Sequence, residues 1–206
     1  MTAAEVREAL AAGGVGLVPT DTVYGLAAAL DSPDGVAALY DLKGRPRSQP
    51  CQVLLCDMGL VYEALAPLDA TTAAAARALL PGPATCLVPD PSGRYAAASG
   101  DAPGAVGVRA PVVGDPMSAL GIPLVATSAN HPGGTDPATL ADVPADVRAG
   151  VAVEVDAGRL PGTASAVVDL RAVAGGEAAV LIRPGPDPAA VEAALGAVGV
   201  VLVRPR

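Results

Sequence analysis

The sequence has no phenylalanine and no tryptophan, and four tyrosines are its whole aromatic content. A core must therefore be packed from Val, Leu and Ala, with little aromatic area to add. The stacking platform of a single-strand RNA binder is also missing. Three cysteines without a CxxC pair exclude a disulfide framework. Positive charge is in short supply: 13 basic against 21 acidic residues give a net charge of −8, which argues against a broad nucleic-acid surface. No apolar run reaches the ~18 residues that span a bilayer. The opening MTAAEVREAL is acidic and amphipathic and lacks the basic stretch of a secretory signal. These shortages predict a soluble, cytoplasmic protein with no membrane segment.

What the chain does have is apolar bulk. Hydrophobic residues make up 51% of 206, enough for a sizeable core in one domain spanning 1–206. Periodicity and breakers predict helices over 3–12, 33–42, 58–66, 69–80, 114–121 and 187–199. Short apolar runs predict strands at 15–19, 51–57, 84–89, 105–111, 123–127, 151–156, 165–170 and 178–185. The polar stretches 43–50, 90–104 and 128–139 read as loops, the second of them exposed. Helices and strands mix without a strict βαβα rhythm, so the expected fold is a single α/β domain around a mixed sheet.

Most familiar chemistries find no support. Cys51, Cys56, Cys86 and the single His131 are the soft metal ligands, and Cys51 and Cys56 fall on opposite faces of one expected strand. Small buried thiols fit them better than zinc, and no protein-held metal centre is expected. His131 lies in a Gly/Pro loop without an orienting partner, which speaks against Cys–His and Ser–His–Asp catalysis. There is neither GxxxxGK[ST] nor a GxGxxG after a strand, so a bound nucleotide would need another cradle.

Two clusters remain. Lys43, Arg45 and Arg47 place three cations within five residues, which suits a phosphate chain or, equally, a solvated loop. Thr127-Ser128-Ala129-Asn130 follows the apolar run IPLVA, the end of a buried strand where α/β sheets bind ligands. Ser128 and Asn130 are two apart and face the same way when extended, though the same residue types also build ordinary turns. Lys43 is the only Lys of the chain and Asn130 the only Asn.

In order along the chain stand PTDTVYGL, KGRP, PGPAT, GVRAP, PLVATSAN, SAVVD and LIRPG. Together they resemble the YrdC/Sua5 family of threonylcarbamoyl-AMP synthases over roughly residues 5–190. The family's KxR…SxN quartet reads here as Lys43, Arg45, Ser128 and Asn130. The resemblance implies a twisted mixed sheet with a concave, positively charged site. It implies condensation of L-threonine, bicarbonate and ATP to threonylcarbamoyl-AMP and pyrophosphate, with Mg²⁺ carried on the ATP. A separate tRNA threonylcarbamoyl-transfer complex would then consume the product, and no stable nucleic-acid binding is expected. The quartet is implied to be catalytic. Lys43, Arg45, Gln49, Asn130, Thr139 and Arg183 match ATP-binding positions, and Thr22, Arg109, Ser128 and Ser165 match threonine-binding ones. Asp21 is a candidate outer-shell Mg²⁺ contact or a turn cap. The sequence departs from the family at Leu54, where a histidine is usual, and at Ala105 and Ala166, where threonines are. Two other readings are a carbamoyl-adenylate-forming relative of the O-carbamoyltransferase or hydrogenase-maturation type, and a non-catalytic RNA-binding module.

Overall fold

The computed structural model describes residues 1–205; Arg206, the last residue of the expected 1–206 domain, lies outside the described residues. In chain order the elements are α1 (Ala3–Ala11), β1 (Gly16–Pro19), β2 (Tyr24–Ala29), α2 (Pro33–Lys43), β3 (Gln52–Leu54), α3 (Met58–Leu65), α4 (Ala70–Leu79) and β4 (Ala84–Pro89). There follow α5 (Ala96–Ser99), β5 (Ala105–Arg109), β6 (Leu124–Ser128), α6 (Ala145–Ala149), β7 (Val153–Glu154), β8 (Ala166–Asp169), β9 (Ala179–Arg183), α7 (Pro188–Ala197) and β10 (Leu202–Val203). The strands form one mixed sheet in the order β10-β9-β8-β4-β5-β3-β6-β2-β1-β7. No helix among the described residues is long and apolar enough to cross a membrane.

Local chemistry explains the helix ends. Thr2, Ser32, Asp57, Asp69 and Asp187 each accept a backbone N–H at the start of a helix. Helix α2 also has Pro33 at its first position, where a missing N–H costs nothing. It stops at Gly44, whose φ of +63° is the left-handed cap that a side chain would strain.

The period-2 alternation of the central strands divides the sheet into two faces. Val53, Cys86, Val88, Val108 and Val125 pack into the larger core, together with residues of α2, α3, α4 and α7. On the opposite face a smaller cluster joins Val6 and Leu10 of α1 to Val18, Leu54, Met117 and Leu124. The remainder of that second face is not covered by a helix, and this is where the cavity lies.

Three local expectations are corrected. Residues 114–121 do not form a helix but a series of turns over 115–119, with Met117 and Leu120 buried. The Gly114 carbonyl accepts the Ser118 N–H and the Met117 carbonyl the Leu120 N–H, turn bonds that do not continue into a helix. The loop 90–104 is not simply exposed. The Asp90 carboxylate accepts the backbone N–H of Arg94 and Tyr95 (3.1 and 2.8 Å), folding the segment back so that Tyr95, Ala98 and Ser99 are buried and α5 forms. Lys43, expected in the basic loop, is the last residue of α2 and is only 4% exposed.

Candidate active site

An open cavity of about 400 Å³ lies against the second face of the sheet. Of the residues singled out from sequence, Thr22, Arg45, Arg109, Ser128, Ser165 and Arg183 line it. Lys43 and Asn130 stand just behind Ser128. Gln49 and Thr139 do not reach the wall. Gln49 is exposed on the 44–50 loop, and its carbonyl accepts the Tyr40 hydroxyl at 3.1 Å. Thr139 begins a 3-10 turn, where its backbone N–H donates to Asp142 at 2.8 Å.

Lys43 organises one end of the cavity. Its Nζ donates to the Ser128 carbonyl at 2.8 Å and to Ser128 Oγ at 3.4 Å, and also to the carbonyl and side-chain oxygens of Asn130. Ser128 Oγ in turn donates to Asn130 Oδ1 at 2.7 Å, so the two side chains do face the same way. The buried cation is held by neutral oxygens. Burial pushes its pKa down to about 8, helped by the Arg45 guanidinium and opposed by Asp136 and Cys51. Arg45 Nη2 donates to the Pro50 carbonyl at 2.6 Å, while its buried Nε has no partner among the described residues. The Arg45 guanidinium, in the wall of the cavity, suits an anionic oxygen.

Arg109 organises the other end. It is 1% exposed and ion-paired with Asp21. Its Nη1 donates to the Gly82 carbonyl, and its Nη2 to Asp21 and, at 3.4 Å, to Thr22 Oγ1. Asp21 also accepts the Val112 N–H at 3.2 Å. Thus Asp21 is neither simply a turn cap nor free for a metal: it ties the turn after β1 to Arg109. The turn itself is built by Thr20, whose Oγ1 donates to the Val23 carbonyl (2.7 Å) and accepts two backbone N–H groups. Tyr24 anchors β2 by donating to the Gly158 carbonyl at 2.8 Å. PTDTVYGL therefore supplies both wall and support: Thr20 and Thr22 line the cavity, while Asp21 holds Arg109 and Tyr24 anchors the strand.

The third wall is a hydrogen-bonded string. Arg183 donates from Nε to the Ser165 carbonyl (2.7 Å) and from Nη2 to Ser165 Oγ (3.2 Å). Ser165 Oγ lies 3.1 Å from Thr85 Oγ1, which donates to Gln52 Oε1 at 2.9 Å. Gly185, two residues after Arg183, passes so near the β8 backbone that a Cβ would lie 2.3 Å from Ala166 N. Only glycine fits that close approach, which explains the RPG triplet. Sequence reasoning did not single out Gln52, Thr85 or Asp136, all of which line the cavity. Thr85 was within reach, as the polar residue of PGPAT.

The lowered Lys43 pKa has a kinetic consequence. If the site needs the ammonium, kcat/KM for an anionic substrate should fall as pH rises through about 8. The same group makes the unfolded chain the tighter proton binder between its folded value of about 8 and its ordinary value of 10.5, so its burial penalty fades as pH rises across that window. A pH–rate profile with a falling limb near 8, lost in Lys43→Arg, is expected. A flat profile from 7 to 9.5 would show that Lys43 does not titrate there.

Arg109 with its partner Asp21 at one end, Arg45 with Lys43 behind Ser128 at the other, and hydroxyls between them surround an open polar cavity. Comparisons with known proteins agree with this architecture. The Sua5_yciO_yrdC family model, described as "Telomere recombination", matches residues 8–185. The threonylcarbamoyl-AMP synthase of Halorhodospira halophila is 36% identical over 165 residues, covering 78% of this chain and 82% of that protein. The one from Chromohalobacter salexigens is 37% identical over 180 residues, 82% and 95% of the two chains. The crystal structure of P. abyssi Sua5 complexed with L-threonine superposes with a TM-score of 0.77 at 25% identity, over 98% of this chain but only 58% of that one. The shared fold, the cavity placed on its open sheet face and the match along most of the sequence together show that this chain belongs to the Sua5/YciO/YrdC family.

Proposed function

We propose that the protein is a cytoplasmic threonylcarbamoyl-AMP synthase, which joins L-threonine, bicarbonate and ATP and releases pyrophosphate. The observation that carries this reading is the placement of the cations around the cavity: Arg109, paired with Asp21, at one end, and Arg45, with Lys43 behind Ser128, at the other. One end suits an amino-acid carboxylate and the other a triphosphate. The curated relatives bear this name, and the P. abyssi relative holds L-threonine. The three free thiols suit a reducing compartment.

Threonine's carboxylate would approach Arg109, with Thr22 and Ser165 as hydroxyl partners. The amine attacks bicarbonate carbon, a C–N bond forms, and water leaves. A carbamate oxygen then attacks the α-phosphorus, and the bond to the β-phosphate oxygen breaks to release pyrophosphate. Lys43, Arg45 and Arg183 offset charge that develops on the phosphates, and Ser128 and Asn130 fix the ammonium that does so. No side chain needs to serve as a strong base; positioning supplies most of the acceleration. Mg²⁺ carried on the ATP would neutralise part of the phosphate charge. Asp136, a hard carboxylate in the cavity wall, is the residue suited to reach its hydration shell, since Asp21 is engaged by Arg109. Gln49 and Thr139, on the loops 44–50 and 134–139, would meet the nucleotide after those loops close over it. The product passes to a tRNA-modifying complex, and the net charge of −8 supports release of the adenylate over retention of RNA.

Pyrophosphate release is the test. It is expected to require threonine and bicarbonate together, because the carbamate is the nucleophile. Equal release with either one omitted would overturn the synthase reading and favour another carbamoyl-adenylate chemistry or an idle hydrolase.

A further inference from the structure

Gln52, at the start of β3, occupies the middle of the cavity floor. The strand registers place it opposite Gly107 of β5 and Ala126 of β6, while Leu54 lies opposite Arg109. Ser128 follows Ala126 by two residues along β6. Two strand residues span about 6.6–6.8 Å. Gln52 therefore sits one such step from the Arg109 row and one step from the Ser128 row. Gly107 carries no side chain and Ala126 only a methyl, so between Leu87 and Ala126 this row offers a single polar side chain, the Gln52 carboxamide.

The carboxamide is anchored on one side. The amide oxygen accepts from Thr85 Oγ1 at 2.9 Å, and Thr85 is itself tied to Ser165 and, through it, to Arg183. With its oxygen so used, the amide keeps two N–H donors that meet no acceptor among the described residues. An amide N–H pair facing a cavity calls for an acceptor oxygen on the ligand.

We propose that the Gln52 carboxamide binds the bicarbonate-derived carboxylate, donating to bicarbonate on entry and to the carbamate once the C–N bond has formed. This assignment rests on the synthase reading. With threonine's carboxylate at Arg109 and the α-phosphate at the Ser128 end, the new carboxylate must lie between them, over Gly107 and within reach of Gln52. The amide gives up no proton; it orients the carbamate so that one oxygen faces the α-phosphorus.

The experiment compares Gln52→Met and Gln52→Glu with the wild type, varying bicarbonate, threonine and ATP in turn. Methionine keeps the shape and removes the donors. Glutamate keeps an acceptor for Thr85 and sets a negative charge against the carboxylate. Thr85 Oγ1 keeps Ser165 in both, so melting temperatures should stay near the wild-type value. KM for bicarbonate is expected to rise about tenfold in Gln52→Met, as for a lost hydrogen bond to a charged group, and further in Gln52→Glu. KM for threonine and ATP should change less than about twofold by comparison. Unchanged bicarbonate dependence in an active variant would overturn the assignment alone, as would an effect confined to threonine. A wild type that forms no adenylate would overturn the synthase reading itself.

Discussion

Lys43→Ala is expected to lower adenylate formation by ~10²–10³-fold, the usual cost of losing one donor that meets developing charge. It should also lower thermal stability, because the lysine is buried rather than part of a solvated loop. Four oxygens of Ser128 and Asn130 gather on its ammonium. Stranding such acceptors costs ~1–3 kcal/mol, which in a domain of this size lowers Tm by roughly 3–10 °C. Lys43→Arg keeps the charge but brings a planar fork into a pocket shaped for a point charge. It should fold, bind ATP and turn over poorly, since a misplacement of ~1 Å can cost ~10²-fold. Adenylate yield and a melting curve for both variants check this. Normal turnover in Lys43→Arg would mean that charge alone suffices.

Arg109→Met is expected to have the larger effect on stability. It leaves the Asp21 carboxylate without the guanidinium that it faces across the 19–22 turn. Removing one partner of a buried pair costs ~3–5 kcal/mol. Asp21→Asn together with Arg109→Met removes the stranded charge and should recover most of that loss, because apolar or neutral replacements of buried pairs are often tolerated. Threonine saturation should not recover, since the carboxylate has still lost its cation. Melting curves with a threonine titration of both variants separate the two effects. A double variant that binds threonine normally would show that Arg109 only supports the fold.

The sequence made the strand and helix inventory largely readable because apolar runs and caps are local signals. Thr2, Ser32 and Asp187 announce α1, α2 and α7 in the residues themselves. Lys43 and Asn130 drew attention by being unique, and the structure joins them by a hydrogen bond. The burial of Lys43 was not readable, since a polar KGRPR run looks solvated. Only the left-handed cap at Gly44 shows that the helix includes the lysine. The Asp21–Arg109 pair and the Gln52–Thr85–Ser165 string join residues far apart in sequence, through registers that no single segment encodes. Residues 114–121 failed as a helix for the opposite reason: their local pattern was helical, but the two apolar residues could be buried by turns alone.

The most direct test of the account is incubation of the wild-type protein with ATP, L-threonine and isotopically labelled bicarbonate, with mass detection of the nucleotide product. The account predicts threonylcarbamoyl-AMP carrying one labelled carbon, in amounts equal to the pyrophosphate released. Pyrophosphate with AMP alone, or an adenylate without the label, would contradict it.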